Sequence, residues 1–321
     1  MIAIGIDLGG TNFRAATFEN GSPTPVDHIK EGVGERRDPA TMIERIADVA
    51  ERLARGQPAT IGVGIAAMLR DRRGTVANSP HLRWHDVPFG ALLAKRLGPR
   101  FQLGVYNDVN AIVWGEAVAG AARGCRDVLG VFVGTGIGGG VIAGGQLVEG
   151  VSNCAGEIGH VKVRWDDLAV QCACGQRGCV EAYVGGSYVL ERIRAELARG
   201  VKSSVVALAG AIDKVTPSHV DAAAAEGDPW ALGLWTELSP LLAVALGNAI
   251  AILNPERLIL GGGLLGRTPT LYAQVTTALM LAAPAACTEF LSIVTAELAD
   301  DAGLVGSSAL AASGVSIVAT A

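Results

Sequence analysis

Runs of apolar residues broken by glycine turns lay out an α/β chain. Ile2–Asp7 and Phe13–Glu19 read as two strands joined by the tight turn Leu8-Gly9-Gly10-Thr11-Asn12, and Asn20-Gly21 closes the second. From about Pro39, with Asp38 as its cap, Met42, Ile43, Ile46, Val49, Ala50 and Leu53 recur on one helical face. Ile61–Ile65 predicts a short buried strand and Phe89–Leu97 a helix. Phe101–Tyr106 predicts a strand that stops at Asn107-Asp108, with Val109–Ala119 helical after it. Val128–Val133 and Val141–Ala143 form a second strand pair around Gly134-Thr135-Gly136-Ile137-Gly138-Gly139-Gly140. Later segments are mostly helical: Gly186–Ala198, Val220–Glu226, and Pro229–Leu253, which opens at Asp228 and ends at Asn254-Pro255. Arg257–Leu260 is a strand running into Gly261-Gly262-Gly263 and a new helix. Phe290–Ala296 is a further strand, and residues 303–313 form the closing helix.

The order strand, glycine turn, strand occurs twice, at 4–18 and at 131–143. Ile6-Asp7-Leu8-Gly9-Gly10-Thr11 aligns with Val133-Gly134-Thr135-Gly136-Ile137-Gly138. A hairpin turn stripped of side chains presents bare backbone N–H groups, which is what phosphate oxygens need. Two such turns, with an acid at Asp7, point to a nucleotide held between two related domains; ordinary hairpin turns are the alternative. Gly134-x-Gly136-x-x-Gly139 formally matches a dinucleotide fingerprint, but that motif must open a helix, and a strand follows here. No G-x-x-x-x-G-K-[ST] occurs, so a Walker-type NTPase is excluded.

At 321 residues the chain is long for one core, and two domains are expected, 1–118 and 119–321. The closing helix is expected to pack back on the first. With 43 glycines, 50% hydrophobic residues and only 5% aromatics, the composition is aliphatic and turn-rich, as in α/β enzymes with buried strands. A net charge of −5 and the lack of a dense Lys/Arg run argue against nucleic acid or an anionic membrane as partner. The chain enters a strand at once and reaches an acid at Asp7, unlike a secretory leader. The longest apolar stretch, Leu241 to Leu253, is interrupted by Asn248 and is too short to span a bilayer. Cys125, Cys154 and Cys287 show no disulfide-framework spacing, so a reducing cytoplasm is the expected setting.

Chemistry concentrates in Glu157-Ile158-Gly159-His160 and Cys172-Ala173-Cys174-Gly175-Gln176-Arg177-Gly178-Cys179-Val180-Glu181. Zn²⁺ takes four soft or borderline ligands at tetrahedral angles, and Cys172, Cys174, Cys179 and His160 can supply them. Four protein ligands leave no open position, so such a site holds a shape and activates no water. The alternative is buried thiols beside a core histidine. Three Cys within eight residues, separated by Gly, Gln and Arg, do not form a core stripe.

Asp7-Leu8-Gly9-Gly10-Thr11-Asn12, Asn107-Asp108-Val109-Asn110-Ala111, the glycine run 134–140, Glu157-Ile158-Gly159-His160 and the cysteine segment together resemble the ROK family of sugar kinases. The resemblance runs in order from residue 2 to about 313. It implies the actin-like, hexokinase-type ATPase fold: two related α/β domains with a nucleotide and sugar cleft between them. It further implies Asp108 as general base, Asn107, Glu157, His160 and Glu181 lining the sugar, and a structural zinc on His160, Cys172, Cys174 and Cys179. ATP would lie on Gly9, Gly10, Thr11 and Asn12, on Gly134, Thr135, Gly136 and Gly138, and on Gly261, Gly262 and Gly263, with Asp7 near Mg²⁺. Phosphoryl transfer suits these roles, because it asks for alignment, charge neutralisation and one late proton acceptance. Asp108 could equally serve as a helix cap, since Asn107-Asp108 sits where a cap belongs.

One segment departs from the family. Asn78-Ser79-Pro80-His81-Leu82-Arg83-Trp84 has His81 where relatives carry Asn; Asn78 either supplies that amide or is a turn residue. The implied activity is ATP-dependent phosphorylation of a hexose, glucose to its 6-phosphate before an N-acetylhexosamine. The implied assembly is a homodimer or homotetramer. The sugar-responsive repressors that share this fold carry a helix-turn-helix ahead of the first phosphate turn, and only six residues precede Asp7 here.

Overall fold

The computed structural model describes residues 2–318. The first third runs β1 (Ile2–Leu8), β2 (Asn12–Glu19), β3 (Asp27–Gly32), α1 (Pro39–Ala54), β4 (Ala59–Ile65), β5 (Met68–Leu69), β6 (Val76–Ser79), β7 (Trp84–Val87), α2 (Phe89–Leu97), β8 (Phe101–Asn107) and α3 (Asp108–Ala119). There follow β9 (Val128–Val133), β10 (Ile137–Ala143), β11 (Gln146–Leu147), α4 (Glu181–Val184), α5 (Gly186–Ala198), α6 (Val205–Ala209), α7 (Pro217–Ala225) and α8 (Pro229–Leu253). The chain ends with β12 (Arg257–Gly261), α9 (Pro269–Ala282), α10 (Ala285–Thr288), β13 (Ser292–Thr295), α11 (Ala302–Ala312) and β14 (Ile317–Val318).

Local chemistry explains the helix ends. Asp38 Oδ1 accepts from Thr41 N–H at 2.9 Å with Pro39 in the first turn, and α1 stops at Arg55 in the left-handed region. Asp228 caps α8 through Ala231 N–H at 3.0 Å, and Asn254, also left-handed, closes it.

Two sheets repeat one plan. The six-stranded sheet is ordered β14-β8-β4-β1-β2-β3 and the five-stranded sheet β11-β10-β9-β12-β13. Matching β1 to β9 makes β2 correspond to β10, β3 to β11, β4 to β12 and β8 to β13. The ladders agree: β4 lies parallel to β1 and to β8, as β12 does to β9 and to β13. The weak sequence repeat is therefore the visible end of a whole repeated sheet, the arrangement of the actin-like ATPase fold.

The chain divides into two compact units, one of residues 1–126, 140–156 and 296–321, the other of 127–139 and 157–295. In the first, Ile4, Ile6, Leu8, Ile61, Val63 and Ile65 bury completely against Met42, Ile46 and Phe89. Helix α11 returns from the end of the chain to pack on α3 and on β1 and β4. In the second, α8 packs along α9.

Several features differ from the sequence expectations, among them the start of β10 at Ile137, inside the expected glycine turn. β3, an edge strand reading Asp-His-Ile-Lys-Glu-Gly, carries too little apolar alternation to announce itself. The small sheet β5-β6-β7 is built of strands only two to four residues long. Gly261 belongs to β12, and a short 3₁₀ turn over Leu265–Arg267 separates it from α9. Helix α8, taken whole, is also long and apolar enough to cross a membrane, though the stretch from Leu241 is not; half of its most apolar window is buried inside the protein. Trp235, Leu238, Leu242, Leu246 and Ile250 on that face are fully buried, as in a core helix.

Candidate active site

In the first unit the candidates gather at the carboxyl ends of three parallel strands, where ligands bind in open α/β sheets. Asp7 on β1 stands opposite Gly64 on β4, and Ile65 opposite Asn107 on β8, so one strand separates Asp7 from Asn107-Asp108. Asn107 is the cap of α3: its Oδ1 accepts from Val109 N–H at 2.9 Å and Asn110 N–H at 3.1 Å. Its Nδ2 donates to Ala67 O at 3.2 Å. Asp108 is the first helical residue, with Oδ1 accepting from Val109 N–H at 3.0 Å. Asn78, on β6, pairs with Met68, the residue that follows Ala67.

Asp7 is largely buried, and burial pushes its carboxyl above the ordinary value of 3.8 against the pull of Arg14. Arg14 Nη1 lies 3.4 Å from Asp7, while its Nη2 reaches Asp300 at 2.8 Å. The hairpin turn beyond Asp7 is closed by Gly9 N–H donating to Asn12 O at 3.1 Å. Gly10 faces His81, because a methyl on Gly10 would fall 2.6 Å from His81 Cβ. His81 thus lies against the first glycine turn. Arg37 fixes it there, donating from Nη1 to His81 O at 2.8 Å and accepting at its own carbonyl from Trp84 Nε1.

In the second unit two glycine segments sit side by side at the ends of β9 and β12. Gly262 has φ +90°, a conformation suited to glycine, and a methyl there would meet the Val133 backbone at 2.5 Å. Leu264 N–H donates to Val133 O at 2.9 Å, and a methyl on Gly134 would be 3.9 Å from Gly263 N. Gly134 N–H closes the turn onto Gly136 O at 2.9 Å, and Ile137 N–H donates to Glu181 Oε2 at 2.7 Å. These two internal bonds leave Thr135 and Gly136 to present their N–H groups, while Gly138 lies within β10.

The cysteine segment folds onto the 3₁₀ turn Ile158–His160. Ligand atoms of His160, Cys172, Cys174 and Cys179 all lie within 4.8 Å of one another. Cys174 and Cys179 Sγ are 3.6 Å apart, and Cys172 Sγ is 3.8 Å from His160 Nδ1. Thiolates each about 2.3 Å from a tetrahedral zinc stand about 3.8 Å apart, so the four residues fit that ion in chemistry and in spacing. Burial pushes the Cys172 thiol up to about 12. Burial also acts on Cys174, but the Gln176 amide, the neighbouring thiols and Lys162 outweigh it and lower that thiol. Lys162 Nζ lies 3.0 Å from Cys179 Sγ, a cation beside a donor set that turns net negative when its thiols ionise.

His160 faces two ways. Nδ1 points to Cys172, and Nε2 lies 3.8 Å from Glu157 Oε2. Burial raises the Glu157 carboxyl, with His160 lowering it and the Glu181 charge raising it further. Sequence reasoning missed Lys162, Arg14 and Asp300. Lys162 faces Cys179 across an isolated β-bridge, a pairing that no spacing within either segment specifies.

A profile of the ROK family matches residues 3–313. The chain is 33% identical over 317 residues to a protein of Thermotoga maritima named glucokinase, covering 96% of each chain. Its fold is similar to a crystal structure of a ROK family glucokinase from Streptomyces griseus in complex with glucose and AMPPNP. There the TM-score is 0.77 and the identity 27%, covering 98% of this chain and all of that one. It is similar also to a ROK hexokinase from Thermus thermophilus, with TM-score 0.82 and 26% identity over 98% of this chain and 99% of that one.

Proposed function

The chain belongs to the ROK family, and from that premise we propose that it is an ATP-dependent hexose kinase making glucose 6-phosphate. The observation that carries the roles is the position of Asp108: a carboxylate at the end of β8, next to the capping residue Asn107 and one strand from Asp7. Asp108 takes the proton of the acceptor hydroxyl as its oxygen bonds to the γ-phosphorus and ADP leaves. The first-turn position at α3 holds Asp108 Oδ1 on the Val109 N–H at 3.0 Å.

The remaining assignments share that reading. Glu157, His160 and Glu181 accept from or donate to ring hydroxyls, and Asn107 keeps one amide hydrogen for the sugar. The turns at 9–12 and 134–138 and the segment 261–263 offer backbone N–H groups to the nucleotide phosphates. Asp7 would hold Mg²⁺ bound with the nucleotide, and the ion would supply neutralisation of phosphate charge. His160, Cys172, Cys174 and Cys179 would hold a zinc ion, which would fix the ring that faces Glu157. A reducing cytoplasm keeps those thiols available for metal. Exposed Ile252, Leu281 and Phe290 in the second unit give a homodimer or homotetramer apolar surface to cover.

A coupled assay of ADP release over a panel of hexoses and N-acetylhexosamines tests the reading. Glucose-dependent turnover is the expected result. Turnover confined to an acetylated sugar would reassign the substrate, and silence with every sugar would remove the activity.

A further inference from the structure

One carboxylate oxygen of Glu181 is engaged within the protein. Its Oε2 accepts from Ile137 N–H at 2.7 Å, and a methyl on Gly136 would fall 2.4 Å from the same oxygen. The carboxylate therefore fills the crook of the second glycine turn, and position 136 has to be bare because that oxygen occupies the space a Cβ would take. The residues that follow grip the same turn: Gly186 N–H donates to Gly134 O and Ser187 N–H to Thr135 O, both at 2.9 Å. The residues that precede it belong to the cysteine cluster. Cys179 is bridged to Lys162, and Val180 N–H donates to Val161 O at 2.9 Å. One stretch, 179–187, thus carries a metal-ligand candidate at one end and clamps the turn at the other.

We propose that Glu181 is a positioning residue for the nucleotide: by holding Ile137 N–H it sets the turn so that the Thr135 and Gly136 amides point outward to phosphate. This rests on the reading that the turn 134–138 takes nucleotide phosphates. Oε1 is left over for a sugar hydroxyl, so the two oxygens divide the work. The hydrogen bond needs an acceptor and not a charge; indeed a negative charge beside phosphate is a cost. A glutamine, whose Oε1 can accept from Ile137, therefore keeps the turn, and an alanine releases it.

The test is calorimetric binding of AMPPNP with Mg²⁺ to the sugar-free chain. Glu181→Ala should weaken binding about tenfold or more, the scale of a hydrogen bond to a charged acceptor. Glu181→Gln should stay within about threefold of the parent or bind more tightly, the rescue that separates an acceptor role from general damage. Gly136→Ala pushes the carboxylate off its bond and should also weaken AMPPNP, with little further loss in the double variant, because both changes break one contact. It carries the test if Glu181→Ala does not fold. Parent-like AMPPNP affinity in Glu181→Ala or in Gly136→Ala, with glucose affinity alone reduced, would overturn the proposal and leave Glu181 a sugar ligand. A parent chain that binds no AMPPNP would bring down the kinase reading and this inference with it.

Discussion

Asn107 and Asp108 divide two tasks that a single residue could have held. The cap falls to Asn107, whose Oδ1 takes two amides, so Asp108 does not have to close the helix. Asp108→Asn should then leave the fold and the binding of glucose and ATP intact while lowering kcat on the order of a hundredfold or more, the usual contribution of a general base. Steady-state rates paired with calorimetry check this; lost sugar binding, or a rate near the parent's, would hand Asp108 a positioning role. Asp7 allows a prediction of opposite sign in stability and activity. Its folded carboxyl titrates above its ordinary 3.8, so the folded state holds the proton more tightly than the unfolded state does. Stability from this group is complete below that value and is lost as pH rises through the raised one. Asp7→Asn removes the loss: its Tm relative to the parent should climb between acidic and neutral pH while kinase activity falls. A pH-independent Tm difference would show that Arg14 fully offsets burial.

The cysteine segment is the element on which the proposed zinc would act. Cys172 and Cys179 are buried and Cys174 is exposed, and a shared metal cation would give all three thiolates one partner. Protein purified without added metal should carry about one zinc per chain by atomic emission. Metal content near zero in active protein would remove the structural-zinc proposal. Cys174→Ser should lower both Tm and glucose affinity, because a zinc ion short of one of its four ligands would hold the His160 ring, whose other nitrogen faces Glu157, less firmly. Elements with strong local signals lie where sequence reasoning puts them. Phe89–Leu97, Gly186–Ala198 and Pro229–Leu253 have the expected ends, since caps and helical spacing are properties of neighbours in sequence. β3 and the three strands of the small sheet were not legible, because short, half-polar strands are specified by their partners.

Taken whole, the molecule uses one sheet plan twice, and the segment that interrupts the first copy, β5 to β7, carries His81 and Asn78, the candidate for the amide contact to the sugar. Asn78 lies on β6 and His81 against Gly10. A site that hydrogen-bonds a sugar 2-hydroxyl leaves its partners unpaired, or collides, when an N-acetyl group takes that place. Glucose should exceed N-acetylglucosamine and N-acetylmannosamine in kcat/KM by at least roughly a hundredfold, with mannose intermediate. Competitive rate measurements decide it, and equal or better turnover of an acetylated sugar would discard glucose as the substrate while sparing the fold.

What neighbours in sequence dictate was readable without coordinates. Bare glycine turns after apolar strands, capped helices, and three cysteines with a histidine upstream each follow from local sterics or ligand chemistry. Contacts between distant segments were not. That Asn107 rather than Asp108 takes the cap depends on how β8 delivers the chain into α3. That Arg14 bridges Asp7 to Asp300 depends on α11 returning to β1. That Lys162 meets Cys179, and Glu181 meets Ile137, depends on two segments folding face to face. Such pairings are set by which surfaces the closed core leaves adjacent, and no spacing along the chain encodes that adjacency.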